Sequence, residues 1–132
     1  MSHLLDTNTC SVYLNGRSLN VLKRLQSNQP HDILLCAVVK AELYYGAMKG
    51  NAPQKHLARL RQFFYPYSSL PFDDDCAAAY GRIRAQLAIA GTPIGPNDLL
   101  IAAIALRHGV TLVTHNQAEF SRVNGLQLED WQ

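Results

Sequence analysis

Three acids in this chain stand where an acid costs free energy. Asp6 ends the run His3-Leu4-Leu5-Asp6-Thr7-Asn8, two leucines and then a carboxylate with no basic neighbour. Glu42 falls on the apolar side of a helix predicted from Ala37 to about Lys49, between Val38 and Tyr45. Asp98 opens the helix that follows Thr92-Pro93-Ile94-Gly95-Pro96-Asn97, in line with Ile101, Ala102 and Ala105. Ionised groups are rarely buried unpaired. If these acids meet, they either raise one another's proton affinity or hold a cation. An oxygen-only donor set suits a hard divalent ion, Mg2+ or Mn2+, rather than zinc. Such an ion polarises a phosphodiester and activates water for in-line displacement.

Each acid also has a plain structural role. Asp6 can cap the helix that follows it. Glu42 can pair with an arginine or lie at a partly exposed stripe edge. Asp98 shares its helix start with Asn97, which caps without burying a charge. Asp73-Asp74-Asp75 looks like a metal cluster but precedes a long helix, where cap and macrodipole both favour acids, so capping explains it. The chain has no G-x-x-x-x-G-K-[ST] loop and no G-x-S-x-G elbow, which leaves a nucleophilic serine or phosphate-loop route without a motif. Two other classes stay open. One is a phosphoacceptor domain, although Asp6 stands alone and Thr114-His115-Asn116 offers no lysine. The other is a module whose acidic cleft docks basic side chains of a partner.

The elements that must position these residues alternate along the whole chain. Short apolar strands are expected at Leu4-Leu5, Ile33–Cys36, Ser69–Phe72, Val110–Thr114 and, at an edge, Leu126–Leu128. Helices are expected from Thr9 to Leu14; after Ser18, with Leu19, Leu22 and Leu25 inward; and from Ala37 to Lys49, with Val38, Ala41, Tyr45 and Met48 inward. Others follow Pro53, with Leu57, Leu60 and Phe64 inward; Asp75, with Tyr80, Ile83, Leu87 and Ala90 inward; and Asp98. The pattern predicts an α/β fold, a three-layer α/β/α sandwich around a parallel sheet. Ligands of such sheets bind beyond the carboxyl ends of the strands. Asp6, Asn116 and the start of the Glu42 helix belong at that edge.

At 132 residues one domain, 1–132, is expected. The longest unbroken apolar run, Leu99 to Leu106, is too short to span a bilayer. No secretory signal opens the chain. Cys10, Cys36 and Cys76 form no C-x-x-C pair and suit core positions in a reducing cytoplasm. The net charge of +2 decides little. Its distribution says more: no acid lies between Leu43 and Phe72, yet Lys49, Lys55, Arg59 and Arg61 do, with His56 among them. This segment is either an RNA contact or a solvated helix face.

Three segments together carry a resemblance. Leu4-Leu5-Asp6-Thr7-Asn8, Ala41-Glu42-Leu43-Tyr44-Tyr45-Gly46 and Ile94-Gly95-Pro96-Asn97-Asp98-Leu99-Leu100-Ile101-Ala102 resemble the three acidic signatures of the PIN-domain family. In particular they are similar to VapC-type toxins of bacterial type II toxin–antitoxin pairs, and the similarity runs from Leu4 to Trp131. The resemblance implies the α/β/α sandwich, a homodimer and Mg2+- or Mn2+-dependent endoribonuclease activity. It implies a VapB-type antitoxin partner in the cleft, promoter DNA bound only through that complex, and tRNA as substrate, in the nearest subgroup initiator tRNA cut in the anticodon loop. Asp6, Glu42 and Asp98 match the family's acids, with Asp6 and Asp98 implied as holders of the ion. Glu42 would complete the ion's shell or orient water. Where many members carry a fourth acid this chain has Asn116, and Glu119 one turn on can take its place. The Glu42 helix also lacks the family's usual Ser or Thr at its start, having Ala37 and Val39, which predicts a helix start without a side-chain cap.

Overall fold

The computed structural model describes all 132 residues. β1 (His3–Leu5) is fully buried and leads through Asp6 straight into α1 (Thr7–Leu14). Then come α2 (Leu19–Ser27), β2 (Ile33–Cys36), α3 (Ala37–Met48), α4 (Pro53–Phe64) and β3 (Ser68–Leu70). The chain continues with α5 (Asp74–Ala90), α6 (Pro96–His108), β4 (Thr111–Val113), α7 (Gln117–Phe120) and β5 (Leu128–Glu129). The five strands form one sheet in the order β3-β2-β1-β4-β5, every pairing parallel. Leu5 lies opposite Val113, and Asp6 N–H donates to the Val113 carbonyl at 3.1 Å, which fixes where both strands end.

This order matters for the site. From β1 the chain steps outward to β2 and β3, then returns to the other side of β1 with β4. The reversal opens a crevice between the carboxyl ends of β1 and β4, the usual ligand site of such sheets. The helices flank the sheet in the expected α/β/α arrangement, and a cluster of 30 buried apolar residues joins the layers. α6 contributes most continuously: Leu99 and Ile101 to Ala105 are all buried. Gly91 and Gly109 end α5 and α6 in the left-handed conformation (φ 70° and 63°), which only glycine adopts without strain. No helix is long and apolar enough to cross a membrane. The three cysteines are buried and free, as small core residues.

Several helix faces differ from the sequence expectation. In α3 the buried residues are Val39, Leu43 and Ala47, whereas Ala41, Tyr45 and Met48 are exposed and Val38 only half-buried. The helix is apolar nearly all round, so periodicity does not set its phase. The tight exit from buried Cys36 does. In α2, Val21 and Leu25 point inward and Leu19 outward. In α5 the inner face is Cys76, Ala79, Ile83 and Leu87, and Ala90 is exposed. In α4, Phe63 joins Leu60 and Phe64. The uncapped start expected for the Glu42 helix is present: Cys36 precedes α3 with no side-chain cap. The acid trio after Phe72 acts as expected too, since Asp73 Oδ1 accepts from Cys76 N–H at 3.0 Å.

The C-terminal residues are tied back to the sheet. Glu129 accepts from Arg24 at 2.7 Å and from the Trp131 indole at 3.0 Å, and it contacts His3 Nε2 at 3.1 Å. The Trp131 N–H, ahead of His3 and Arg24, holds the Glu129 carboxyl below its ordinary range.

Candidate active site

Asp6 performs both roles that the sequence left open. Its Oδ1 accepts from Thr9 N–H at 2.8 Å and caps α1, while its side chain lines a cleft beyond the sheet. It is 5% exposed, and burial pushes its carboxyl up, with Glu42 adding repulsion against hydrogen bonds from Thr114 and Thr9. The cleft encloses about 520 Å³ and gathers Asp6, Glu42, Asp98, His115 and Asn116, with Thr7, Asn8 and Ser11 from the first turns of α1.

Asp98 sits in the first turn of α6, which starts at Gly95 with Pro96 as its first residue. Neither Asp98 nor Asn97 caps this helix. The Asp98 carboxyl is pushed up to about 6, first by burial and then by the charges of Glu119, Glu42 and Asp6. A helix start should act the other way, by about 0.3–1 kcal/mol in favour of the carboxylate. A rise from 3.8 to about 6 corresponds to about 3 kcal/mol before allowance for solvent. Burial and like charge therefore win.

Glu42 is held rather than free. Thr7 Oγ1 donates to its Oε1, and Asn97 Nδ2 donates to Oε2 at 3.2 Å. It lies at the edge of the buried stripe of α3, half-buried, one residue before Leu43. Glu119 projects from α7 and accepts from Asn116 Nδ2 at 2.8 Å, so these two residues form one hydrogen-bonded corner near Asp98. None of the four acids takes part in any of the six ion pairs of the structure, of which only His115–Asp130 touches the cleft.

Asp6, Glu42 and Asp98 share the cleft, with Glu119 behind Asn116 and outside its lining, but they do not form a ready cage: no three of the acids meet closely enough to ligate one ion together. This donor set fits Mg2+ better than a fully protein-ligated metal, because Mg2+ keeps several waters and binds through one or two carboxylates. Asp6 and Asp98 are the two acids whose charged forms are disfavoured, and they could hold such an ion.

Sequence reasoning passed over three participants. Thr7 and Asn97, neighbours of Asp6 and Asp98 in the chain, hold Glu42 in place. His115 lines the cleft, its Nδ1 2.9 Å from Asp130 Oδ2. Proximity to the acids in sequence could have flagged the first two; nothing local could have paired His115 with Asp130. Of the basic group, only Arg59 borders a hollow next to the cleft, together with His56. Lys49 lies over the Tyr45 ring instead, and Lys55 and Arg61 are exposed.

A parallel sheet with an arginine-free acidic cleft at its strand reversal defines a class: α/β domains whose site lies beyond the carboxyl ends of the strands. Comparison with known proteins makes this specific. The model of the PIN domain matches residues 3–126. The tRNA(fMet)-specific endonucleases VapC of Shigella flexneri and Salmonella typhimurium are 38% and 37% identical over 131 residues, covering 99% of this chain and 98% of theirs. VapBC2 from Rickettsia felis, solved bound to a DNA fragment from its promoter, superimposes with a TM-score of 0.94 at 34% identity, covering all of both chains. The chain belongs to the PIN-domain family, within its VapC group of ribonucleases.

Proposed function

We propose that this protein is the toxin of a type II toxin–antitoxin pair, a Mg2+- or Mn2+-dependent endoribonuclease that cuts tRNA and arrests translation. One observation carries it: Asp6 and Asp98 face one cleft at the strand reversal, raised and in no ion pair, with no lysine or arginine in its lining. The VapC relatives named for tRNA(fMet) support initiator tRNA as substrate; the anticodon loop as the place of the cut rests on the family resemblance alone.

Asp6 and Asp98 would hold the ion. When bound, it supplies Lewis-acid polarisation of the phosphodiester and offsets the charge that builds in the transition state. Glu42, locked by Thr7 and Asn97, keeps a fixed carboxylate edge towards the cleft and orients the attacking water. Asn116 and Glu119 fill the fourth corner as a pair, the amide fixing the carboxylate near Asp98. The exposed Lys49, Lys55 and Arg61, with Arg59, attract the phosphate backbone. A phosphoacceptor site needs a lysine beside its acid, and no lysine lines this cleft.

In this reading the chain acts as a homodimer in the cytoplasm, silenced by a VapB-type antitoxin and bound to promoter DNA only through that complex. The solved VapBC neighbours support the partner. The test is cleavage of end-labelled initiator tRNA by the purified protein. Cutting should require Mg2+ or Mn2+, stop in EDTA and be lost in Asp98→Asn. Full activity in EDTA or in that variant would overturn the mechanism. Cutting of other RNAs in preference would overturn the substrate.

A further inference from the structure

The acidic cleft does not end at its acids. Thr7, Ser11 and Glu42 line it on one side and, on their other side, line a second hollow of about 240 Å³ between α1 and the α3–α4 hairpin. The two hollows form one groove with Glu42 at the join. The walls of the second are of two kinds: Leu43, Ala47 and Leu60 are apolar, whereas His56 and Arg59 are basic.

Two features mark it as built for an occupant. The first is Gly46, in the middle of α3. Glycine there costs a helix about 0.5–1 kcal/mol relative to alanine. Its backbone conformation does not require glycine, and a Cβ added to it would meet no atom of the protein within 4 Å. Nothing in the chain's own packing needs the space, which lies open on the hollow. The second is Arg59. Its guanidinium donates to the Leu14 carbonyl at the end of α1 and makes no ion pair, even though Glu42 lines the same hollow. The result is an exposed guanidinium tethered to the end of α1 through one nitrogen, with no carboxylate partner. Such a group suits a phosphate, which it can meet through donors not used by Leu14.

We propose that this hollow is a second RNA subsite, which takes the nucleotide next to the scissile phosphate. Its base lies over Gly46 against Leu43, Ala47 and Leu60, and its phosphate meets Arg59, with His56 beside it. The polarity of the groove, acids at one end and a lone arginine at the other, matches a chain of phosphates of which one is cut and the next is only held. The proposal rests on the nuclease reading of the acidic cleft.

The test uses Gly46→Leu and Arg59→Ala in the full chain. Leucine is the better helix former and fills the hollow, but it stands one helical turn after Glu42 on α3, so kcat is read from Arg59→Ala on α4. Circular dichroism and thermal unfolding confirm the fold. With an RNA oligonucleotide spanning the cleavage site, KM should rise in both variants, about tenfold in Arg59→Ala for the loss of one charge-assisted contact, while kcat of Arg59→Ala stays within about twofold. KM within about twofold of wild type in both variants overturns the subsite. So does loss of antitoxin binding in Gly46→Leu with KM unchanged, which would give the hollow to a protein segment. If the wild type cuts no RNA, the nuclease reading fails on its own account. RNA binding measured by fluorescence anisotropy with and without Gly46→Leu, both in an Asp98→Asn background, then decides the subsite separately. If Gly46→Leu does not fold, Arg59→Ala carries the test, with a lower salt slope of RNA binding as its second readout.

Discussion

Asp98 offers the sharpest quantitative check on the acidic cleft, because its raised carboxyl makes folding stability depend on pH in an unusual direction. In the folded protein without metal its pKa is about 6, against an ordinary 3.8. The folded state therefore holds this proton more tightly than the unfolded chain. The stabilisation from that proton is fully present below about pH 4 and is lost as pH rises through about 6. Full linkage for a rise from 3.8 to about 6 is about 3 kcal/mol. Asp98 is only half-buried, so solvent screening reduces this to about 1–1.5 kcal/mol at neutral pH. Most structural carboxyls behave oppositely. Asp73 and Glu129, held low by Cys76 N–H and by the Trp131 indole, add stability that is lost only as pH falls towards their depressed values.

The assay is thermal unfolding in EDTA at several pH values from about 3.5, below the unfolded-state pKa, to about 7.5, above the folded-state one, wild type against Asp98→Asn. Asparagine keeps the shape and removes the titration. The variant should match wild type at the acid end and exceed it by about 4 °C at the neutral end, the shift expected for about 1 kcal/mol in a chain of this size. Mg2+ at about one hundred times its Kd should then raise the wild type by about 2.7 kcal/mol and leave the variant nearly unmoved. Parallel pH profiles for the two proteins would refute the electrostatic account of the cleft. An equal Mg2+ response in both would remove Asp98 from the ion's ligands.

Asp6 separates its two roles by choice of substitution. Asp6→Asn should lose RNA cleavage but keep stability, because asparagine also caps helices. Asp6→Ala should lose cleavage and about 1 kcal/mol besides, read by chemical denaturation. Equal stability in the two variants would mean that the Thr9 N–H bond contributes nothing. Ile104→Ala, in the fully buried face of α6, should destabilise by about 2–5 kcal/mol in the same assay. At a temperature where it remains folded its kcat should be unchanged; a large fall would mean that α6 packing positions Asp98 more tightly than its first turn suggests.

Part of this site was legible in sequence because two of its constraints are local. A leucine pair followed at once by an acid and a helix start places Asp6 at a strand end, since the strand is too short to put it anywhere else. The rigid Gly95-Pro96 approach likewise fixes Asp98 in the first turn of its helix. Parallel pairing then follows from strands alternating with helices. For Glu42 the sequence allows a buried stripe position or a stripe edge, and the structure has the edge. The periodicity of α3 suggested an acid in mid-stripe, yet apolar residues surround that helix and its phase is set by the turn out of Cys36. In the real phase Glu42 lies at the stripe edge, where it reaches Thr7 and Asn97, and this explains why its charge is tolerated without an arginine. Asn97 was read as a cap for a similar reason: local propensity favours it there, but Gly95 opens the helix and frees the amide for Glu42. His115 and Asp130 lay beyond any such reasoning. Their contact exists only because β5 pairs with β4 and brings the chain's end beside the cleft. The residues that do the chemistry can be read from strand ends and helix starts, whereas those that hold them in place are assigned by packing, which a single sequence leaves undetermined.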